Sequence, residues 1–220
     1  MTASIASPTG ATWTIIVAAG SGSRFGGPVP KQFVEVAGRR IVDWSIAAAR
    51  AVSDGVVVVL PPGGEFGIDH DDMVSSVIGG DSRSESVRRG LAVVPDRADV
   101  VLVHDAARPV ASIDLFSRVA DAVRGGADGV VPSVPVVDTL RSVDGTPVDR
   151  STLVAVQTPQ GFAPVALRAA HATRDVATDD ATLVTLVGGK VVSVDGERWN
   201  LKVTDPDDER VAAVLLSRRA

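Results

Sequence analysis

Short runs of β-branched residues alternate with amphipathic stretches along this chain. Residues 14–19, 56–60 and 100–103 are apolar at successive positions. Strands of that kind bury both faces, as they do inside a parallel sheet covered by helices. Between them, residues 41–52 place Ile41, Trp44, Ala48 and Val52 on one helical face. Residues 84–94 do the same with Val87, Leu91 and Val94, and residues 112–123 with Leu115, Val119 and Val123. Ser112 and Asp114 stand where a helix cap and an acidic first turn belong. The alternation predicts an α/β fold, a doubly wound, mostly parallel, Rossmann-like sheet.

The pattern changes near residue 130. Residues 130–137 are apolar but broken by Pro132 and Pro135. Asp144-Gly145 then marks a hairpin turn between polar segments 139–143 and 146–150. A hairpin with so few apolar residues buries little against its own domain. It is expected to project as an arm, about residues 137–157, and to pack on a second subunit. Helical patterns resume at 164–174 and 179–187. Strands are expected at 191–194 and 201–203, and a last helix from Pro206 to about residue 217. With no repeat and no linker, residues 1–220 read as one domain, with the N-terminal 13 residues as a loose tail.

Composition narrows the function. At 45% hydrophobic, 220 residues can build a large core. The chain has no cysteine, which removes disulfides, thiolate nucleophiles and cysteine metal sites. That suits a reducing compartment, and a cytoplasmic location is expected. No apolar run approaches the ~20 residues a membrane helix needs. A net charge of −5 argues against general nucleic-acid binding. Only Lys31, Lys190 and Lys202 are lysines, against 19 arginines. Where arginine is the default cation, lysine at 31 and 202 suggests a need for a compact ammonium.

Four constellations carry candidate chemistry. The first, Ala18-Ala19-Gly20-Ser21-Gly22-Ser23-Arg24 with Pro30-Lys31-Gln32, follows the first strand. Glycines 20 and 22 let backbone N–H groups approach phosphate oxygens, and Arg24 and Lys31 can hold them. An ordinary strand-to-loop turn has the same glycines. The loop is not a Walker A loop, and the third glycine of a dinucleotide fingerprint is misplaced. The second, Val103-His104-Asp105-Ala106-Ala107-Arg108-Pro109, puts Asp105 at the carboxyl end of a strand, where it can hold Mg²⁺ or cap the next helix. His104 reads as structural. The third, Gly79 to Val87, contains Gly80, Asp81 and Ser86, which could read a base edge; by spacing alone it is equally a polar loop before a capped helix. The fourth carries Lys202 between Asn200 and Thr204.

Together the segments AAGSGSRFG, PKQF, GGDSRSESV, HDAARP, TPQGF, TDDATL and NLKVT, in this order, resemble the cytidylyltransferase family of the non-mevalonate isoprenoid pathway. The resemblance implies CTP and 2-C-methyl-D-erythritol 4-phosphate as substrates, Mg²⁺ as cofactor, and a homodimer with exchanged arms. It implies that Ala18, Ala19, Gly20, Gly22, Gly80, Asp81, Ser86 and Ala106 bind the nucleotide. Arg24, Lys31 and Lys202 would be catalytic. Asp105 would hold the metal and, with Arg108, Thr139, Arg150, Thr178, Lys202 and Thr204, the polyol phosphate; Thr139 and Arg150 would reach the partner's site. A ribitol-5-phosphate cytidylyltransferase shares most of these motifs, and the Ala106-Ala107 pair favours the methylerythritol substrate. A nicotinamide oxidoreductase is disfavoured by the loop spacing. A binding module without activity is disfavoured by the presence of every charged group.

Overall fold

The computed structural model describes residues 10–20, 29–63 and 67–218. In chain order its elements begin with β1 (Ala11–Val17), β2 (Glu35–Val36), β3 (Arg39–Arg40), α1 (Ile41–Arg50), β4 (Gly55–Leu60) and β5 (Val74–Ile78). Then come α2 (Arg83–Leu91), β6 (Ala98–Asp105), α3 (Ile113–Arg124), β7 (Gly129–Pro135), β8 (Leu140–Arg141) and β9 (Pro147–Val148). The last are β10 (Val154–Val156), β11 (Gln160–Phe162), α4 (Pro164–Ala172), α5 (Asp180–Leu186), β12 (Val191–Asp195) and α6 (Pro206–Ser217).

The main sheet has eight strands, in the order β10-β7-β11-β6-β1-β4-β5, with β12 also paired to β7. β6, β1, β4 and β5 are mutually parallel, while β10 and β11 run antiparallel to their neighbours. The sheet is therefore mostly parallel, as the β-branched runs predict. Alternation of side chains along each strand divides the core into two layers. Ile16, Val56, Val58 and Leu102 meet Val42, Leu115 and Phe116 on one face. Ile15, Val57, Val59 and Val101 meet Val87, Leu91, Leu167 and Leu183 on the other.

The strand order locates the site. From β1 the chain moves out to β4 and β5, then returns across β1 to β6. The connections therefore diverge between β1 and β6, which opens a crevice at their carboxyl ends. Val17 pairs with Asp105 in that register, so Ala18 and Ala106 follow side by side at the crevice mouth.

Three expectations need correction. β1 begins at Ala11, inside the segment read as a tail, and stops at Val17. Trp13 belongs to the sheet because Gly55 beside it has no side chain; a Cβ there would lie 2.5 Å from the indole ring. Residues 201–203 form no strand: the Val203 N–H donates to the Ala107 carbonyl, and side chains bond the carbonyls at 200 and 203. Lys31 donates to the Val203 carbonyl and Arg108 to that of Asn200. The hairpin turns at Gly145, whose φ is +90°, but its strands shrink to two residues each. Residues 154–156 leave it to join the main sheet as β10.

Candidate active site

The first wall of the crevice is the chain leaving β1. Ala18 donates its N–H to the Val59 carbonyl at 2.9 Å, which holds the turn against β4. The next carbonyls are fastened by Gln32. Its buried amide nitrogen donates to Ala18 at 2.5 Å and to Gly20 at 3.0 Å. Pro30 opens the short turn that carries Lys31 and Gln32. Gln32 thus faces inward to shape the loop, while Lys31 lines the cleft, its Nζ donating to the Val203 carbonyl at 2.6 Å.

The floor is the end of β6. Thr158 Oγ1 accepts the Asp105 N–H at 3.0 Å. Lys202 Nζ lies 2.7 Å from Asp105 Oδ2, and Arg83 Nε lies 3.7 Å from Oδ1. Burial alone would raise the Asp105 pKa, but Lys202, Arg83 and Arg108 outweigh it and lower the pKa to about 2. Asp105 is therefore a fixed anion flanked by cations. Burial works against the charge on Arg83, yet Asp180 and Asp105 raise its pKa above the ordinary value.

The second wall is the turn from β5 into α2. Ser82 caps the helix by accepting the Glu85 N–H at 3.0 Å. Ser86, one turn in, accepts the Gly80 N–H at 3.2 Å and so pins the glycine loop to the helix. Gly79 packs tightly, since a Cβ there would lie 2.5 Å from Ala19. The walls enclose a cleft of about 440 Å³ lined by Ala18, Ala19, Gly20, Lys31, Gly80, Asp81, Arg83, Ser86, Asp105, Ala106, Lys202 and Thr204. Two of the three lysines face it; Lys190 lies elsewhere, exposed.

Lys202 is delivered there by a buried polar frame. Gln157 Nε2 donates to the Glu197 carbonyl at 2.8 Å, and Gln157 Oε1 accepts the Glu197 N–H at 3.0 Å. Asn200 Nδ2 donates to the Thr158 carbonyl at 3.0 Å. The Glu197 carboxylate holds the Ser112 N–H and hydroxyl. His104 lies beneath, fully buried against Phe116 and within 3.1 Å of Thr158 Oγ1. Burial pushes its pKa down to about 4, so it is neutral and structural, as expected.

A parallel-sheet crevice with a glycine turn, clustered cations and an ionised carboxylate at its floor is the setting for a nucleotide. Residues 12–218 match the family model of 2-C-methyl-D-erythritol 4-phosphate cytidylyltransferase. A relative with that name from Nocardia farcinica is 44% identical, over 96% of each chain. One from Streptomyces avermitilis is 42% identical, over 97% of this chain and 95% of its own. The crystal structure of the Thermus thermophilus enzyme of that name superposes with a TM-score of 0.81 at 37% identity, covering 93% of this chain and 98% of that one.

The chain belongs to the 2-C-methyl-D-erythritol 4-phosphate cytidylyltransferase family.

Against this family's expected residues, the cleft unites Ala18, Ala19, Gly20, Lys31, Gly80, Asp81, Ser86, Asp105, Ala106, Lys202 and Thr204. Gly22 and Arg24 lie outside the described residues. Arg108 is not on the cleft surface; its Nη1 donates to the Asn200 carbonyl at 2.7 Å and supports the Lys202 segment. Thr178 is exposed just before α5, and Thr139 and Arg150 are exposed in the hairpin, away from the cleft of their own chain. Thr204 Oγ1 donates to Asp208 at 2.5 Å, which ties the segment to α6.

Sequence reasoning missed Arg83, Gln32 and the Gln157–Glu197–Asn200 frame. Arg83 had one legible signal, its place immediately after the Ser82 cap. Gln32 sits beside Lys31 in a motif noticed for its lysine.

Proposed function

We propose that this protein transfers the CMP moiety of CTP to 2-C-methyl-D-erythritol 4-phosphate, giving 4-diphosphocytidyl-2-C-methyl-D-erythritol and pyrophosphate. The observation that carries the reading is the meeting of Lys31, Lys202, Arg83 and Asp105 in one cleft at the β1/β6 switch point. The names of relatives matched along nearly their whole length support the substrates.

The chemistry is in-line displacement at the α-phosphorus. A phosphate oxygen of the polyol phosphate attacks, and the bond to the pyrophosphate oxygen breaks. The attacking oxygen is already anionic near neutral pH, so no general base is needed. The obstacle is holding two polyanions together and stabilising added charge in the transition state. Lys31 and Lys202 both line the cleft and supply positive charge there. Gln32 and Ser86 preorganise the two loops on which the nucleotide rests. Gly80, Asp81 and Ser86 present the hydrogen-bonding groups suited to a cytosine edge, and Ala106 leaves room for the ribose.

A divalent cation fits the donors present. Among the described residues no cluster of three acidic or histidine side chains occurs. Mg²⁺ commonly takes one or two carboxylates, with phosphate oxygens and water as its other ligands. Asp105, ionised and at the cleft floor, would hold it. When bound, the ion would offset phosphate charge. Exchange of hairpin arms in a homodimer would bring the partner's copies of Thr139 and Arg150 to the polyol phosphate.

Incubation with CTP, Mg²⁺ and methylerythritol phosphate, followed by mass analysis, tests the reading. Pyrophosphate and the diphosphocytidyl product are expected. Equal or better use of ribitol 5-phosphate, or no turnover of CTP, overturns it.

A further inference from the structure

Behind Arg83 the site continues into the interior. Arg83 opens α2, hydrogen-bonds one carboxylate and stands within ion-pair range of a second. Nη1 donates to Asp180 Oδ2 at 2.6 Å, and Nε faces Asp105 Oδ1 at 3.7 Å. Asp180 opens α5, and its other oxygen lies 2.9 Å from Nε2 of His171 in α4. The Asp180 side chain is 0% exposed and that of His171 3%. Neither lines the cleft, so neither can touch a substrate. A row of five groups, His171, Asp180, Arg83, Asp105 and Lys202, therefore runs from the α4/α5 packing to the reacting end of β6.

Packing alone does not call for this arrangement. A buried carboxylate costs stability unless it is paired, and apolar residues fill such space as well or better. Here the charged partner of the buried Asp180 is an arginine of the cleft wall. A planar guanidinium addresses two carboxylates through N–H groups held in a rigid fork, whereas a lysine ammonium offers only rotatable donors on a flexible stem. Arg83 is thus gripped at one end by a group no ligand reaches, and its other end meets Asp105. Lys202 occupies the opposite oxygen of the same carboxylate.

We propose that Arg83 is a positioning residue, anchored by Asp180 and His171, that fixes the orientation of Asp105 for cytidylyl transfer. The inference rests on the function proposed above. It assigns to Asp180, across 97 residues of sequence from Arg83, a part in catalysis without contact with substrate.

Steady-state kinetics of Asp180→Asn, Arg83→Gln, Arg83→Lys and the Asp180→Asn/Arg83→Gln double variant test it, with melting curves recorded for each. Asp180→Asn is expected to lower kcat about tenfold or more while the KM for CTP moves less than about threefold, since misplacement of a catalytic group acts mainly on turnover. Arg83→Lys, which keeps the charge but loses the fork, is expected to rescue little. The double variant is expected to be no slower than Arg83→Gln alone, because both changes break one chain. A purely structural role predicts that losses follow the unfolded fraction and multiply in the double variant. That result, or wild-type kcat in Asp180→Asn, overturns the proposal. If Asp180→Asn does not fold, the partly exposed Arg83 still decides: wild-type kcat in Arg83→Gln overturns the proposal, and equal losses in the Gln and Lys variants support it. A wild-type protein that releases no pyrophosphate from CTP sinks the parent reading and this one with it. An active wild type beside an equally active Asp180→Asn sinks this one alone.

Discussion

Replacing Asp105 with asparagine keeps the side chain's size and removes its charge, which exposes what the surrounding cations contribute. In the folded protein burial favours the neutral acid, yet Lys202, Arg83 and Arg108 bring the pKa from an ordinary 3.8 down to about 2. The side chain is only 13% exposed, so solvent screening removes little of the effect. That lowering corresponds to about 2.5 kcal/mol of stability at neutral pH. The sign follows from the direction. The folded pKa lies below the unfolded one, so the contribution is complete above the ordinary carboxylate value and is lost as pH falls toward about 2. Urea unfolding of the wild type and Asp105→Asn, compared at several pH values, measures it. The stability gap between the two should be about 1 kcal/mol smaller at about pH 3 than at about pH 7. A gap that stays constant or widens on acidification would show that the three cations do not hold Asp105 ionised.

Lys31→Ala should lower turnover by ~10²-fold or more, the scale of one preorganised electrostatic contact, in a pyrophosphate-release assay; a nearly unchanged rate removes Lys31 from the mechanism. Gln32→Leu strips the donors from the Ala18 and Gly20 carbonyls, and should cost about 1–3 kcal/mol in denaturant unfolding and weaken CTP binding in calorimetry. If hairpins are exchanged between subunits, co-refolding Arg150→Ala with Lys202→Ala, each inactive alone, should restore about a quarter of wild-type activity, because half the chains pair as mixed dimers and one site of each is intact. No recovery refutes the exchange.

Much of the framework was legible because burial writes itself into residue type. Residues 56–60 could only be an interior strand, and β4 is buried along its whole length. Asp105 was readable because it ends such a strand, and Lys31 and Lys202 because lysine is rare here. Arg83 offered only its place after the Ser82 cap, since arginine is this chain's default cation and its partner Asp180 is distant in sequence. Polar residues that support the site from within, such as Gln32, Gln157 and Asn200, look like surface residues until tertiary contacts supply their hydrogen-bond partners. Residues 201–203 alternate like a strand, but only the fold reveals that the Lys31 side chain takes the Val203 carbonyl and Arg108 that of Asn200 just before the segment. Trp13 failed for a related reason, its place being set by Gly55 on the neighbouring strand.

The account stands on CTP occupying the crevice between β1 and β6. Amide chemical-shift mapping of the isotope-labelled protein during titration with CTP tests this directly. Shifts should concentrate at Ala18, Ala19, Gly20, Gly80, Asp81, Ser86, Ala106 and Lys202, and leave the groove beside Trp44 and Ile113 unchanged. Saturable shifts centred on that groove, with the β1 and β6 ends silent, would contradict it.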